Sequence, residues 1–89
     1  MKMKNELQQQ ASAFLKRTPP GDYVPGSIAE SFIAYYAKKG KAPGDSESLE
    51  LFDLCIMETE NSVESRSGQD REYFEESLRL LKAILKDAK

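Results

Sequence analysis

The chain has 89 residues, of which 39% are apolar and 31% charged, and a formal net charge of −2. That length suits one domain with a small core, and the composition is that of a globular chain rather than a disordered one. The near-neutral total excludes a whole-molecule field strong enough to draw in nucleic acid or a membrane surface.

The charge is nevertheless divided along the chain. Residues 1–41 carry seven basic and three acidic groups, whereas residues 42–89 carry six basic and twelve acidic groups. Two readings stand: ordinary solvated helix faces with an accidental division of charge, or two faces or ends of opposite sign that would favour self-association or an oriented partner. Cys55 is the single cysteine, so no intrachain disulfide forms. No apolar run of signal-peptide length follows Lys2 and Lys4, and none approaches the roughly 20 residues that span a bilayer. The expectation is a cytoplasmic protein with a reduced thiol and no membrane association.

The first helix is expected over about residues 3–17. Met3, Leu7, Ala11, Phe14 and Leu15 recur at steps of three and four and share a face, with Gln8, Gln9, Gln10 and Ser12 on the other side. Lys16 and Arg17 suit the negative end of the helix dipole, and Pro19 and Pro20 stop the helix. Thr18 to Gly26 holds three prolines and two glycines, which excludes helix and inner strand. Tyr23 and Val24 in this loop are expected to fold back as a lid on the core.

The second helix, over 27–39, opens with Ser27-Ile28-Ala29-Glu30. This is a capping box, in which the serine hydroxyl and the glutamate carboxylate satisfy each other's backbone amides. Ile28, Phe32, Tyr35 and Tyr36 are read as its buried face, with Ala29 and Ile33 beside them. Gly40 suits the position just past the helix end.

The third helix, over 46–63, is capped by Asp45 or Ser46. Leu49, Phe52, Ile56 and Val63 align, and Leu51, Leu54 and Cys55 widen that stripe. Between Leu51 and Met57 only Asp53 is polar, so this helix is expected to be the most buried. A short buried strand over 51–57 is the competing assignment. Glu47, Glu50, Asp53, Glu58, Glu60 and Glu64 form its polar side.

The fourth helix, over 69–87, follows the break at Ser65-Arg66-Ser67-Gly68, with Ser67 and Asp70 spaced as a second cap. Phe74, Leu78, Leu81 and Leu85 form one apolar line, and Tyr73, Leu80 and Ile84 an adjacent one. Two lines are more than one neighbouring helix covers, which suggests either a dimer-forming helix or one wrapped by two neighbours. The fold class is therefore all-α, a compact three- to four-helix bundle with short Pro/Gly loops in a single domain, 1–89.

Chemistry finds few carriers here. Histidine, the commonest general acid–base group, is absent. Cys55, among Leu54, Ile56 and Met57, reads as a buried thiol rather than a nucleophile. No Cys or His set matches a zinc site, no acidic string matches a calcium loop, and Gly40-Lys41-Ala42-Pro43-Gly44 lacks the Gly-Lys-Ser/Thr close of a phosphate loop. No catalytic residue, metal or cofactor is expected, and the chain is read as a non-enzyme.

Asp45-Ser46, opening an acidic, Leu-rich helix after a glycine, resembles the Asp-Ser-Leu of acyl carrier proteins. In that family the serine holds phosphopantetheine. Glu47 stands where the family has an apolar residue, and two helical segments precede the motif instead of one, so no prosthetic group is carried over. The order of helices and loops is also similar to that of small enterobacterial regulators of biofilm and acid stress, which act as helical dimers on other regulators. No motif supports that likeness, so no residue is transferred.

What is left is recognition. The leading expectation is a small regulator, adaptor or inhibitor acting by protein–protein interaction, with another protein or with itself as a homodimer. Tyr23, Tyr35, Tyr36 and Tyr73 are contact candidates because tyrosine is enriched at interface centres, and Glu50 and Asp53 would steer a basic partner. The alternative is a nucleic-acid-associated regulator using Lys38, Lys39 and Lys41 beside Tyr35 and Tyr36. A helix–turn–helix version places Asp45, Glu47, Glu50 and Asp53 at the start of the recognition helix, where phosphate would repel them.

Overall fold

Leu80, Leu81 and Ile84 are fully enclosed in the computed structural model, which describes residues 6–17 and 28–88. They lie on the last of four helices: α1 (Glu6–Phe14), α2 (Ile28–Lys39), α3 (Ser46–Ser65) and α4 (Gly68–Ala88). α4 is the central element and packs against all three others; α1 also meets α2, and α2 also meets α3. The fold is an all-α bundle, as the spacing of apolar residues requires.

α1 ends earlier than expected. After Phe14 the chain tightens, with the Lys16 amide donating to the Ala13 carbonyl at 3.1 Å and the Arg17 amide to the Phe14 carbonyl at 3.0 Å. Such three-residue bonds satisfy carbonyls left over at a helix end. Leu15 consequently turns outward and is exposed. The lid assigned to Tyr23 and Val24, and the capping box at Ser27, lie outside the described residues.

α2 stops where Gly40 takes a left-handed φ of 73°, which lets its amide donate back to the Tyr36 carbonyl at 2.8 Å. A short turn leads to Asp45, the cap of α3: its carboxylate accepts from the Ser48 amide at 3.0 Å and from the Ser48 hydroxyl at 2.8 Å. Residues 51–57 are helical, which removes the strand assignment. α3 runs two residues beyond the expected end, to Ser65, before Arg66 becomes extended. Gly68, with φ 63°, opens α4, and Asp70 in its first turn lies 3.7 Å from the Arg66 guanidinium.

Aromatic rings join the helices. Phe32 of α2 stacks on Phe52 of α3 with centroids 4.0 Å apart. Phe14 of α1 meets Tyr73 of α4 at 4.8 Å, and Tyr73 meets Phe74 edge-on at 5.3 Å. Polar groups complete the core. Gln8, expected on the solvent side of α1, is buried, and its amide donates to the Ala37 carbonyl at 2.9 Å, tying α1 to α2. Thr59, also buried, donates its hydroxyl to the Cys55 carbonyl at 2.7 Å. Among the described residues no buried side-chain nitrogen or oxygen lacks a partner, as a satisfied core requires.

Most of the two apolar lines of α4 find partners inside the chain. Tyr73, Phe74, Leu80, Leu81 and Ile84 are all buried, and Leu85 packs against the same cluster. α4 is thus wrapped largely by its neighbours, with Leu78 left partly exposed. α3, expected to be the most buried helix, buries only Phe52, Cys55 and Thr59.

Candidate interaction face on α3

Helical geometry decides which residues of α3 reach the core. Each residue advances about 100° around the axis, so Leu51, Leu54 and Met57 stand roughly 100°, 160° and 140° round from Phe52. α3 has two described neighbours, α4 and α2, and both lie on the Phe52 side. The three side chains are 41%, 43% and 53% exposed. The wide stripe read from the sequence is therefore two stripes, an inner one on the core and an outer one in solvent.

The outer row runs into a groove at the start of the helix. Ser31, Phe32 and Tyr35 of α2, Pro43 of the turn, and Asp45, Ser48 and Leu51 line an open concavity of about 500 Å³. Phe32 forms its floor, and Tyr35 and Leu51 stand as half-exposed walls. From Ser48 to Met57 the row covers about 14 Å of helix axis, enough for two to three turns of a partner helix.

Carboxylates surround the row. Glu47, Glu50, Asp53 and Glu58 are all exposed on α3. No lysine or arginine occurs anywhere between Lys41 and Arg66. Glu60, on the edge nearest α4, pairs with Lys82 at 3.5 Å. The Ser48 hydroxyl and amide hold Asp45 below its ordinary value of 3.8, so this cap remains a carboxylate at neutral pH.

The remaining candidates divide cleanly. Tyr36 is 1% exposed, and its hydroxyl donates to the Asp87 carboxylate at 3.2 Å; Tyr73 is 5% exposed and sits between Phe14 and Phe74. Both belong to the core, so the expectation that they form surface contacts is corrected. Tyr35 stays at the surface beside the groove, and Glu50 and Asp53 lie on the outer side of α3. Tyr23 lies outside the described residues. Lys38, Lys39 and Lys41 are exposed at the end of α2. With Tyr36 enclosed, Tyr35 is the ring of that pair left beside them.

Sequence reading assigned Leu51, Leu54 and Met57 to the core, and the structure moves them to the surface. The signal was available: Leu54 lies almost opposite Phe52 on the wheel, so the two cannot face one neighbour. Burial pushes the Cys55 thiol up to about 11, with Glu58 adding to the shift, so the group is a protonated core thiol at neutral pH. Among the described residues no three Asp, Glu, Cys or His side chains gather as metal ligands, and no helix is long and apolar enough to cross a membrane. A second concavity is lined by Arg17, Glu72, Glu75, Glu76 and Arg79, where Arg79 pairs with Glu76 along α4 and Arg17 lies over the Tyr73 ring.

Comparison with known proteins finds no matching family model, no matching curated protein and no matching solved structure.

Proposed function

We propose that this chain is a non-enzymatic interaction module, a regulator, adaptor or inhibitor, whose working surface is the outer face of α3 together with the α2–α3 groove. The observation that carries this reading is the row Leu51, Leu54 and Met57, each about half exposed on an otherwise well-packed small bundle. Single exposed apolar residues are ordinary, but a row that continues into an apolar groove is the anatomy of a docking site. Covering a large aliphatic side chain fully is worth about 1.5–3 kcal/mol, so a partner over this row gains binding energy that the monomer leaves unused. A methionine within the row adapts its shape to different partners.

The alternative, a nucleic-acid contact through Lys38, Lys39 and Lys41, is supported by Tyr35, which lies three and four residues before two of these lysines and shares their side of α2. It is opposed by the acidic helix across the groove from Tyr35.

One experiment separates the two. The wild type and the triple variant Leu51→Gln/Leu54→Gln/Met57→Gln are used to capture material from native lysate, with and without nuclease. The account expects a stoichiometric protein that survives nuclease and is lost with the triple variant. Material that depends on nuclease-sensitive nucleic acid, and on Lys38, Lys39 and Lys41, would replace this reading with the alternative.

A further inference from the structure

We infer that the occupant of the α3 face is a basic amphipathic helix, which lays its apolar side along Leu51, Leu54 and Met57 and sets its bulkiest side chain in the α2–α3 groove. This rests on the interaction reading above and adds the chemistry of the partner. Shape gives the first half of the inference. The exposed apolar residues follow one helix for about two turns, and the groove that ends them has an aromatic floor at Phe32 and apolar walls at Tyr35, Pro43 and Leu51. An exposed apolar row of about two turns that winds round one side of a helix and ends in a pocket fits an amphipathic helix crossing it with anchors three, four and seven residues apart.

Charge gives the second half by discriminating among occupants. α3 carries six carboxylates and no basic residue over its 20 residues. Two copies docked face to face would place these carboxylates against their equivalents, and like charges set opposite one another in an interface cost several kcal/mol. A second copy offering Lys38, Lys39 and Lys41 to this face would make a head-to-tail contact that does not close on itself. A nucleic-acid backbone or an anionic membrane meets the same repulsion. A helix with lysine or arginine flanking its apolar stripe meets Glu47, Glu50, Asp53 and Glu58 in complementary sign. Asp45 and Ser48 at the groove mouth accept a basic group one turn from the buried anchor.

The test uses the full chain and three synthetic 18-residue helices. All have identical leucine and phenylalanine anchors, and their flanks are lysine, glutamine or glutamate. Binding is followed by backbone amide shifts in nuclear magnetic resonance and by titration calorimetry. The lysine-flanked helix is expected to bind at least tenfold more tightly than the glutamate-flanked one, with the largest shifts at Tyr35, Ser48, Leu51, Leu54 and Met57. That preference should shrink in 0.5 M salt, where exposed charges are screened within a few ångströms. It should also fall in Glu47→Gln/Glu50→Gln/Asp53→Asn/Glu58→Gln, whose fold is checked by circular dichroism. The Leu51→Gln/Leu54→Gln/Met57→Gln variant should lose binding of all three helices.

Equal binding of the three helices through the α3 face would overturn the basic-partner inference and leave the interaction reading standing. Absence of binding by all three, or shifts confined to Lys38–Lys41, would overturn the inference. Self-association through α3, seen as concentration-dependent shifts at the same residues without any peptide, would assign the face to a second copy instead.

Discussion

α3 and α4 are of nearly equal length, 20 and 21 residues, and both show two adjacent lines of apolar residues. α4 buries most of both lines, with Leu78 and Leu85 partly exposed, because it packs against three helices. α3 buries one, because its described neighbours, α2 and α4, meet it on the Phe52 side. The same pattern of residues thus has opposite consequences, depending on how many elements stand around the helix. Periodicity says which residues share a face; topology says whether anything covers that face. On α3 the difference is visible at two sulfur atoms two positions apart, with Cys55 buried and Met57 the most exposed of its large apolar residues.

The comparison is sharpest in stability measurements. Phe52→Ala removes the ring that stacks on Phe32 at full burial and is expected to lose about 3–5 kcal/mol, and Leu81→Ala about 2–5 kcal/mol, read from urea unfolding. In a domain of this size such losses are a large share of the total stability. Leu54→Ala on the outer face should stay within about 0.5 kcal/mol of the wild type. A loss at Leu54 as large as that at Leu81 would mean that the outer row is covered.

A smaller effect comes from the cap at Asp45. Its folded-state value is lowered by Ser48, so its contribution is complete above the unfolded value of 3.8 and is lost as pH falls through the lowered folded value. Between pH 5 and pH 2 the stability difference between the wild type and Asp45→Ala should narrow. A difference that is constant with pH would show that the carboxylate does not hold the Ser48 amide.

The smallest effect is chemical. Because Cys55 is buried, and its thiol is raised to about 11, it should react with an aromatic disulfide reagent at pH 8 only as fast as the chain opens, and rapidly in urea. Rapid labelling of the folded protein would place Cys55 on the outer side of α3.

The fold class and all four helices were legible in the sequence because proline, glycine and capping residues punctuate it: Gly40 and Asp45 act as expected. The core of α4 was legible too, at Phe74, Leu81 and Ile84. Burial of Gln8 was not, since an amide in a polar run carries no mark of the Ala37 carbonyl that will meet it across the bundle. Tyr35 and Tyr36 are neighbours in sequence with opposite fates, because a 100° step carries one towards Asp87 of α4 and the other towards the groove. The exposure of the outer row of α3 was hidden for a related reason. A cluster from Leu51 to Met57 looks like core until the number of helices beside it is known.

The central claim is that the outer row of α3 is open in the free chain and closed by a partner, and Met57 reports on it directly. Dilute peroxide oxidises an exposed thioether to the sulfoxide without unfolding, and mass spectrometry of the peptide holding Met57 follows the rate. The account predicts oxidation of Met57 in the folded protein at close to the rate in urea, slowed severalfold when the lysine-flanked helix is bound. Slow oxidation in the free, folded protein would contradict it, because the face assigned to recognition would then be already covered.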